Sequence, residues 1–140
     1  MSRTSEYIPE TMRRQVSELA NHKCEYCLIQ ESDTYFGCEI DHIISIKHGG
    51  KSLVENLAYA CMICNRYKGS DLGSITEEGK LIRFYNPRTD YWNEHFSIQS
   101  NEIIPLTAIG VVTVKIFRFN EIARKVEREA LQLIGHYPGQ

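Results

Sequence analysis

Long apolar runs are missing from this chain. No stretch of its 140 residues approaches the ~20 consecutive apolar positions that a membrane span needs, and the polar segment 1–10 lacks the apolar centre of a secretory signal. The sequence therefore predicts no membrane partner, with a cytoplasmic location as the default. A strong charge of either sign is missing too: 16 Lys and Arg against 18 Asp and Glu leave a net charge of -2. That argues against coating nucleic acid by bulk charge, yet it permits a local basic patch, because phosphates are met by individual Lys and Arg side chains. Internal repeats and low-complexity segments are absent as well. A composition of 42% hydrophobic and 24% charged residues is ordinary for a soluble globular protein. The length suits one domain, residues 1–140, with a modest core that would profit from a staple.

Cysteine supplies that staple. The chain has five, an odd number. Four fall in two Cys-x-x-Cys pairs, Cys24 with Cys27 and Cys61 with Cys64. Without a secretory signal this pattern fits zinc better than disulfides, since the x-x spacing lets two thiolates reach one ion without backbone strain. A redox dithiol uses the same spacing, but it usually follows a strand and opens a helix of a sheet fold, and here a matching second pair exists. Cys38 is left over and reads as a small buried hydrophobe. Between the two pairs lies Glu39-Ile40-Asp41-His42-Ile43-Ile44, an acidic residue set directly before a histidine and flanked by apolar side chains. Asn65 follows the second pair immediately.

The element pattern is mixed. Residues 1–8 read as a flexible lead-in. Pro9 and Glu10 suit a first helical turn, and Met12, Val16, Leu19 and Ala20 recur at helical spacing, predicting a helix over residues 9–20. Arg13 and Arg14 on it are solvated-face residues that could touch phosphate. Residues 34–44 are strand-like. On a regular strand Asp41 and His42 would point to opposite faces, so the strand must twist or end there if both serve one cleft. Residues 45–56 form a loop around His48-Gly49-Gly50, and residues 57–60 offer a strand returning antiparallel. Cys61 then opens a helix that stops at Gly69. Helix geometry turns Asn65 about 100° from Cys64, so one helix can show its thiolates to one side and its amide to the other. Further on, residues 71–80 read as surface loop, 81–86 as a strand stopped by Pro87, and 91–98 as packing against the core. Over residues 105–119 the strand and helix signals conflict. Asn120 reads as the cap of a last helix with Ile122, Val126, Ala130 and Ile134 on one face, ended by Gly135. His22, His95 and His136 read as structural or exposed.

A carboxylate and an amide oxygen, Asp41 and Asn65, suit a hard divalent cation such as magnesium or manganese. Such an ion neutralises charge that builds on a phosphate and its departing oxygen. A neutral imidazole, His42, can take a proton from attacking water, which is typically worth ~10²–10⁴-fold. Phosphodiester hydrolysis needs these parts together. Arg66 and Lys68, beside the same helix turn, would meet substrate phosphates, and His48 lies in the neighbouring loop.

Taken jointly, Cys24-x-x-Cys27, Glu39 to Ile44, His48-Gly49-Gly50, Glu55-Asn56-Leu57 and Cys61-x-x-Cys64-Asn65-x-x-Lys68-Gly69 resemble a zinc-containing HNH endonuclease, over about a third of the chain. The tail, with Asn86-Pro87-Arg88, Trp92, His95-Phe96 and Thr107-x-x-Gly110-x-x-Thr113, resembles extensions of some bacterial members and tips residues 105–119 toward helix. The resemblance implies an α+β protein with a ββα-metal core of about residues 21–71, stapled by a four-cysteine zinc site, with an N-terminal helix and a mainly helical extension over about residues 72–140. It implies a metal-dependent DNA endonuclease, on double-stranded substrate, with His42 as general base and Asn56 holding the loop that orients it. The resemblance further implies that Asp41 and Asn65 ligate the catalytic cation, magnesium or manganese, in a His-Asn-Asn variant of the motif. Cys24, Cys27, Cys61 and Cys64 hold the structural zinc. The family's histidine sits where the first strand gives way to the loop, which relieves the alternation problem. The alternative is a catalytically inactive zinc-stapled module that binds nucleic acid or protein. Oligomeric state is not legible at this level.

Overall fold

A computed structural model describes residues 7–139. Residues 1–6 of the expected lead-in lie outside them, whereas Ile8 is buried against Val16 and Leu57. Helix α1 (Glu10–Leu19) begins after Pro9, whose fixed φ of -60° with ψ of 150° gives the extended N-cap geometry. Its inner face, Val16 with Met12, packs on one side of the first hairpin beside Ile40, Leu57 and Tyr59. Leu19, expected inside, is exposed, and Ala20 is buried instead.

Strands β1 (Cys38–His42) and β2 (Leu57–Cys61) pair antiparallel, with Cys38 opposite Cys61 and His42 opposite Leu57. β1 is shorter than the strand expected over residues 34–44. Glu31–Asp33 is a turn of 3-10 helix, Gly37 at φ 77° breaks the extended path, and β2 offers only five residues to pair with. Tyr35 and Phe36 are consequently left exposed. Cys38 is half-buried and packs against the core. Helix α2 (Met62–Lys68) follows β2 without a loop. Cys61 caps it, its Sγ accepting from the Cys64 amide at 3.5 Å, and Gly69 at φ 55° ends it.

The extension contains two hairpins, of whose four strands the sequence pattern predicts only one, over residues 81–86. β3 (Gly73–Ile75) pairs with β4 (Leu81–Arg83) across the expected loop, turning at Gly79, φ 83°. The short helix α3 (Trp92–His95) leads into β5 (Phe96–Gln99), which pairs with β6 (Glu102–Pro105). Residues 105–119 resolve into helix α4 (Ala108–Phe117), capped by Thr107, whose Oγ1 accepts from the Gly110 amide at 3.1 Å. The motif residues of the extension each have a structural task. Arg88 pairs with Glu25, Trp92 Nε1 donates to the Tyr26 carbonyl at 2.8 Å, and His95 Nδ1 lies 2.6 Å from Thr107 Oγ1. Gly110 passes the His95 carbonyl so closely that an added Cβ would sit 2.3 Å from its oxygen. The Thr113 hydroxyl accepts from the Tyr85 amide at 2.9 Å.

The last helix, α5 (Ile122–Leu133), corrects the sequence reading. Asn120 does not cap it, because its amide is engaged with Ile103 N at 2.9 Å and Ile103 O at 2.8 Å. Ile122, Val126, Ala130 and Ile134 face solvent, whereas Arg124 and Arg128 are buried. Arg128 wins the inner face because its donors find acceptors there: Nη1 reaches Asn101 O at 2.6 Å and Nη2 reaches Phe119 O at 2.8 Å. Arg124 reaches the Cys61 and Cys64 thiols through Nη2, and its Nε and Nη1 have no partner among the described residues. One apolar cluster unites residues before and after position 71, joining Cys24, Tyr26, Ala58 and Cys64 to Phe84, Phe96, Val112, Phe117 and Phe119.

Candidate metal centres

The hairpin and the start of α2 carry Cys61 and Cys64 onto the tight turn that holds Cys24 and Cys27. All four Sγ atoms lie within 4.8 Å of one another, and all four residues are buried. A tetrahedral ion with ~2.3 Å thiolate bonds would space its sulfurs about 3.8 Å apart, and Cys27 Sγ lies 3.8 Å from Cys61 Sγ. That distance is nearly twice the ~2.05 Å of a disulfide, and the cysteines are free. The donor set therefore fits a closed metal site of four thiolates. Burial pushes the Cys24 and Cys64 thiols up, whereas hydrogen bonds from Cys24, Cys61 and Cys64 pull Cys27 down. Four thiolates held this close repel one another, so a cation is needed to keep all four deprotonated. Arg124 closes the site from α5, its Nη2 3.8 Å from Cys64 Sγ and 3.9 Å from Cys61 Sγ. No alternation or helical period in the sequence marks Arg124 for this place.

The other face of the same helix borders a second centre. A cavity of about 380 Å³ is lined by Asp41, His42, Ser45, Lys47, Asn65 and Ser70, among others. β1 ends at His42, so strict alternation lapses there and both members of the pair reach the cavity. Asn65 projects from α2, and its side-chain amide has no hydrogen bond among the described residues. Asn56 stands behind the loop. Its Oδ1 accepts from Ile44 N at 2.8 Å, and its Nδ2 donates to Ile44 O and to Lys51 O, both at 2.9 Å. Gly50 completes this closure, since a Cβ there would fall 1.7 Å from the Ile44 carbonyl oxygen. His42 Nε2 lies 2.8 Å from Ser52 Oγ, so the loop also fixes the ring.

Asp41 is the most constrained group. It is 4% exposed, and its Oδ2 accepts from Tyr26 OH at 2.8 Å. Its Oδ1 accepts from Lys68 Nζ at 3.2 Å, and the same ammonium donates to the His42 carbonyl at 3.0 Å. Burial raises the Asp41 carboxyl above its ordinary range, opposed by Lys68 and Tyr26. The expectation that Lys68 meets substrate phosphates is corrected. At 2% exposure its charge is committed inward, because a buried carboxylate needs a cation more than solvent does. Arg66 is exposed on α2; His48 is exposed but does not line the cavity, whereas its neighbour Lys47 does. Sequence reasoning missed Tyr26, Ser52 and Lys47. Tyr26 alone left a trace, as an aromatic inside the first Cys-x-x-Cys turn. Through it that turn touches the second centre directly.

Residues 24–71 match the family model of the HNH endonucleases. The matched segment holds every residue named in both centres except Arg124. Searches of curated proteins and of solved structures gave no match. Among the described residues no helix is long and apolar enough to cross a membrane.

Proposed function

We propose that this chain is a metal-dependent endonuclease that hydrolyses phosphodiester bonds in double-stranded DNA, in the cytoplasm, where its free thiols stay reduced. The observation that carries this reading is the convergence of Asp41, His42 and Asn65 on one cavity, with Asn56 bracing the loop behind it. In the tautomer that donates from Nε2 to Ser52 Oγ, His42 keeps its Nδ1 lone pair for a proton from water. Ser52 and Asn56 hold that ring and loop before substrate arrives. Asp41 and Asn65 are the residues that would hold magnesium or manganese; when bound, the cation supplies neutralisation of charge at the phosphate and the departing oxygen. Asp41 remains a usable ligand because its carboxylate offers about four lone-pair sites and Tyr26 and Lys68 take two. Lys47, which lines the cavity, and Arg66, exposed on α2, would meet the flanking phosphates. Zinc at Cys24, Cys27, Cys61 and Cys64 is structural, closed to substrate by its four thiolates. The whole chain acts as one domain, the extension holding the knuckle through Trp92 and Arg88.

One observation favours a second reading, a binding module that does not cut. The Lys68 ammonium already neutralises Asp41 and would repel a second cation. Plasmid nicking with magnesium, manganese or EDTA separates the two. The nuclease reading expects metal-dependent nicking that disappears in His42→Ala. A zinc-loaded, folded protein that binds DNA and never nicks it would install the binding module instead.

A further inference from the structure

Apart from Leu131, helix α5 turns its apolar side chains away from its own fold. Ile122 is 78%, Val126 62%, Leu133 83% and Ile134 62% exposed, and Ala123 and Ala130 are exposed between them. At ~100° per residue these six side chains occupy one arc of about 120° with no polar residue inside it. The inversion follows from the fold. Arg124 and Arg128 take the inner face for the thiol cluster and two backbone carbonyls, so the apolar residues are left outside. Beside this arc a shallow groove runs between Arg124 and Glu127 on α5 and the exposed aromatic pair Tyr35 and Phe36. The arc and the pair, on either side of that groove, together expose on the order of 800 Å² of apolar surface, about what one partner gives to a standard interface.

We propose that this face is the interface of a two-fold homodimer in which α5 packs antiparallel on α5 of a second copy. The helix is complementary to itself in that orientation. With the axis near position 128, Ile122 meets the partner's Leu133, Ala123 meets the partner's Ile134, and Val126 meets the partner's Ala130. Small side chains thus oppose large ones along most of the seam, the interdigitation that close helix packing requires. The polar edge agrees. In an antiparallel pair each flank faces its own copy, which brings Lys125 within reach of the partner's Glu129, twice per dimer. Within one chain Lys125 makes only a 4.0 Å contact to Glu102, and Glu129 accepts from Asn101, so both are near the surface and available. A parallel pair would set the Glu129 edge against the Glu127 edge, like charge on like. On the opposite edge Glu127 lies in the field of Arg124 and Arg128 of its own helix.

Sedimentation equilibrium on the zinc-loaded full chain tests this. The natural protein is expected to be a dimer at about 50 µM, within the µM-to-pM range of interfaces of this size. Val126→Glu buries a charge in the seam and should weaken association by on the order of 100-fold or more, with unchanged circular dichroism and zinc content. Lys125→Glu should weaken it about tenfold, and Lys125→Glu with Glu129→Lys should restore it, because the swapped pair regenerates both bridges. A natural protein that stays monomeric at that concentration overturns the proposal. So does a dimer indifferent to Val126→Glu, or a charge swap that fails to rescue.

Discussion

Lys68→Met removes a buried cation and leaves its carboxylate in place. Lys68 Nζ lies 3.2 Å from Asp41 Oδ1, with the two residues 2% and 4% exposed. At an effective dielectric of ~20, unit charges at that separation attract by about 5 kcal/mol. Breaking a buried pair on one side costs about 3–5 kcal/mol by mutational experience, so the two figures agree. Against a total stability of about 5–15 kcal/mol the loss is a large fraction, and Lys68→Met should shift urea unfolding of the zinc-loaded protein by about 3 kcal/mol or more. The pH dependence has a definite sign. Burial already raises the Asp41 carboxyl in the folded state, and removing Lys68 removes the largest influence opposing that rise. A carboxyl raised by folding binds its proton more tightly in the native state than in the unfolded chain. Its stabilising effect is therefore present at acid pH and lost as pH rises through the folded-state value. The deficit of Lys68→Met should accordingly be small in acid and grow toward neutrality. Asp41→Leu combined with Lys68→Met leaves no lone charge and should recover most of the loss. A single variant costing under about 1 kcal/mol at neutral pH would refute the reasoning, as would a deficit that shrinks with rising pH.

The remaining expectations are simpler. Tyr26→Phe deletes the donor to Asp41 Oδ2 and should cost about 1–3 kcal/mol while zinc content stays at one per chain; a loss of zinc would mean that Tyr26 serves the knuckle alone. Cys61→Ser should lose the metal and unfold, since structural zinc contributes ~10–16 kcal/mol of apparent binding in small zinc domains, and metal content with circular dichroism reads both. Asn56→Ala removes three hydrogen bonds of the loop, so the Ile44 amide should exchange with solvent at least ~10-fold faster than in the natural protein.

The sequence alone determined the parts whose physics is local. Two Cys-x-x-Cys pairs fix their own thiol spacing within a turn. Helix geometry alone sends Cys64 and Asn65 to different sides of α2, toward the thiol cluster and toward the cavity. The end of β1 at His42 answered one local conflict, that neighbours on a strand face opposite ways. Tertiary structure decided the rest, and charge burial accounts for most of it. Lys68 has the pattern of a surface lysine until β1 brings Asp41 and the His42 carbonyl to it from 27 and 26 residues away. Arg124 and Arg128 break the expected helical face of α5 because acceptors on remote elements, Cys61, Cys64, Phe119 and Asn101, outweigh the apolar period of the helix itself. The pairings of the extension's hairpins escaped for a related reason. β4 alone reads as a strand in the sequence, over residues 81–86; β3, β5 and β6, of three or four residues each, carry too little pattern to read. What holds them is packing, from α4 on β3, β4 and β6, that no local window contains. A side chain's periodicity states which way it could face. Only the partner waiting on each side decides which way it does.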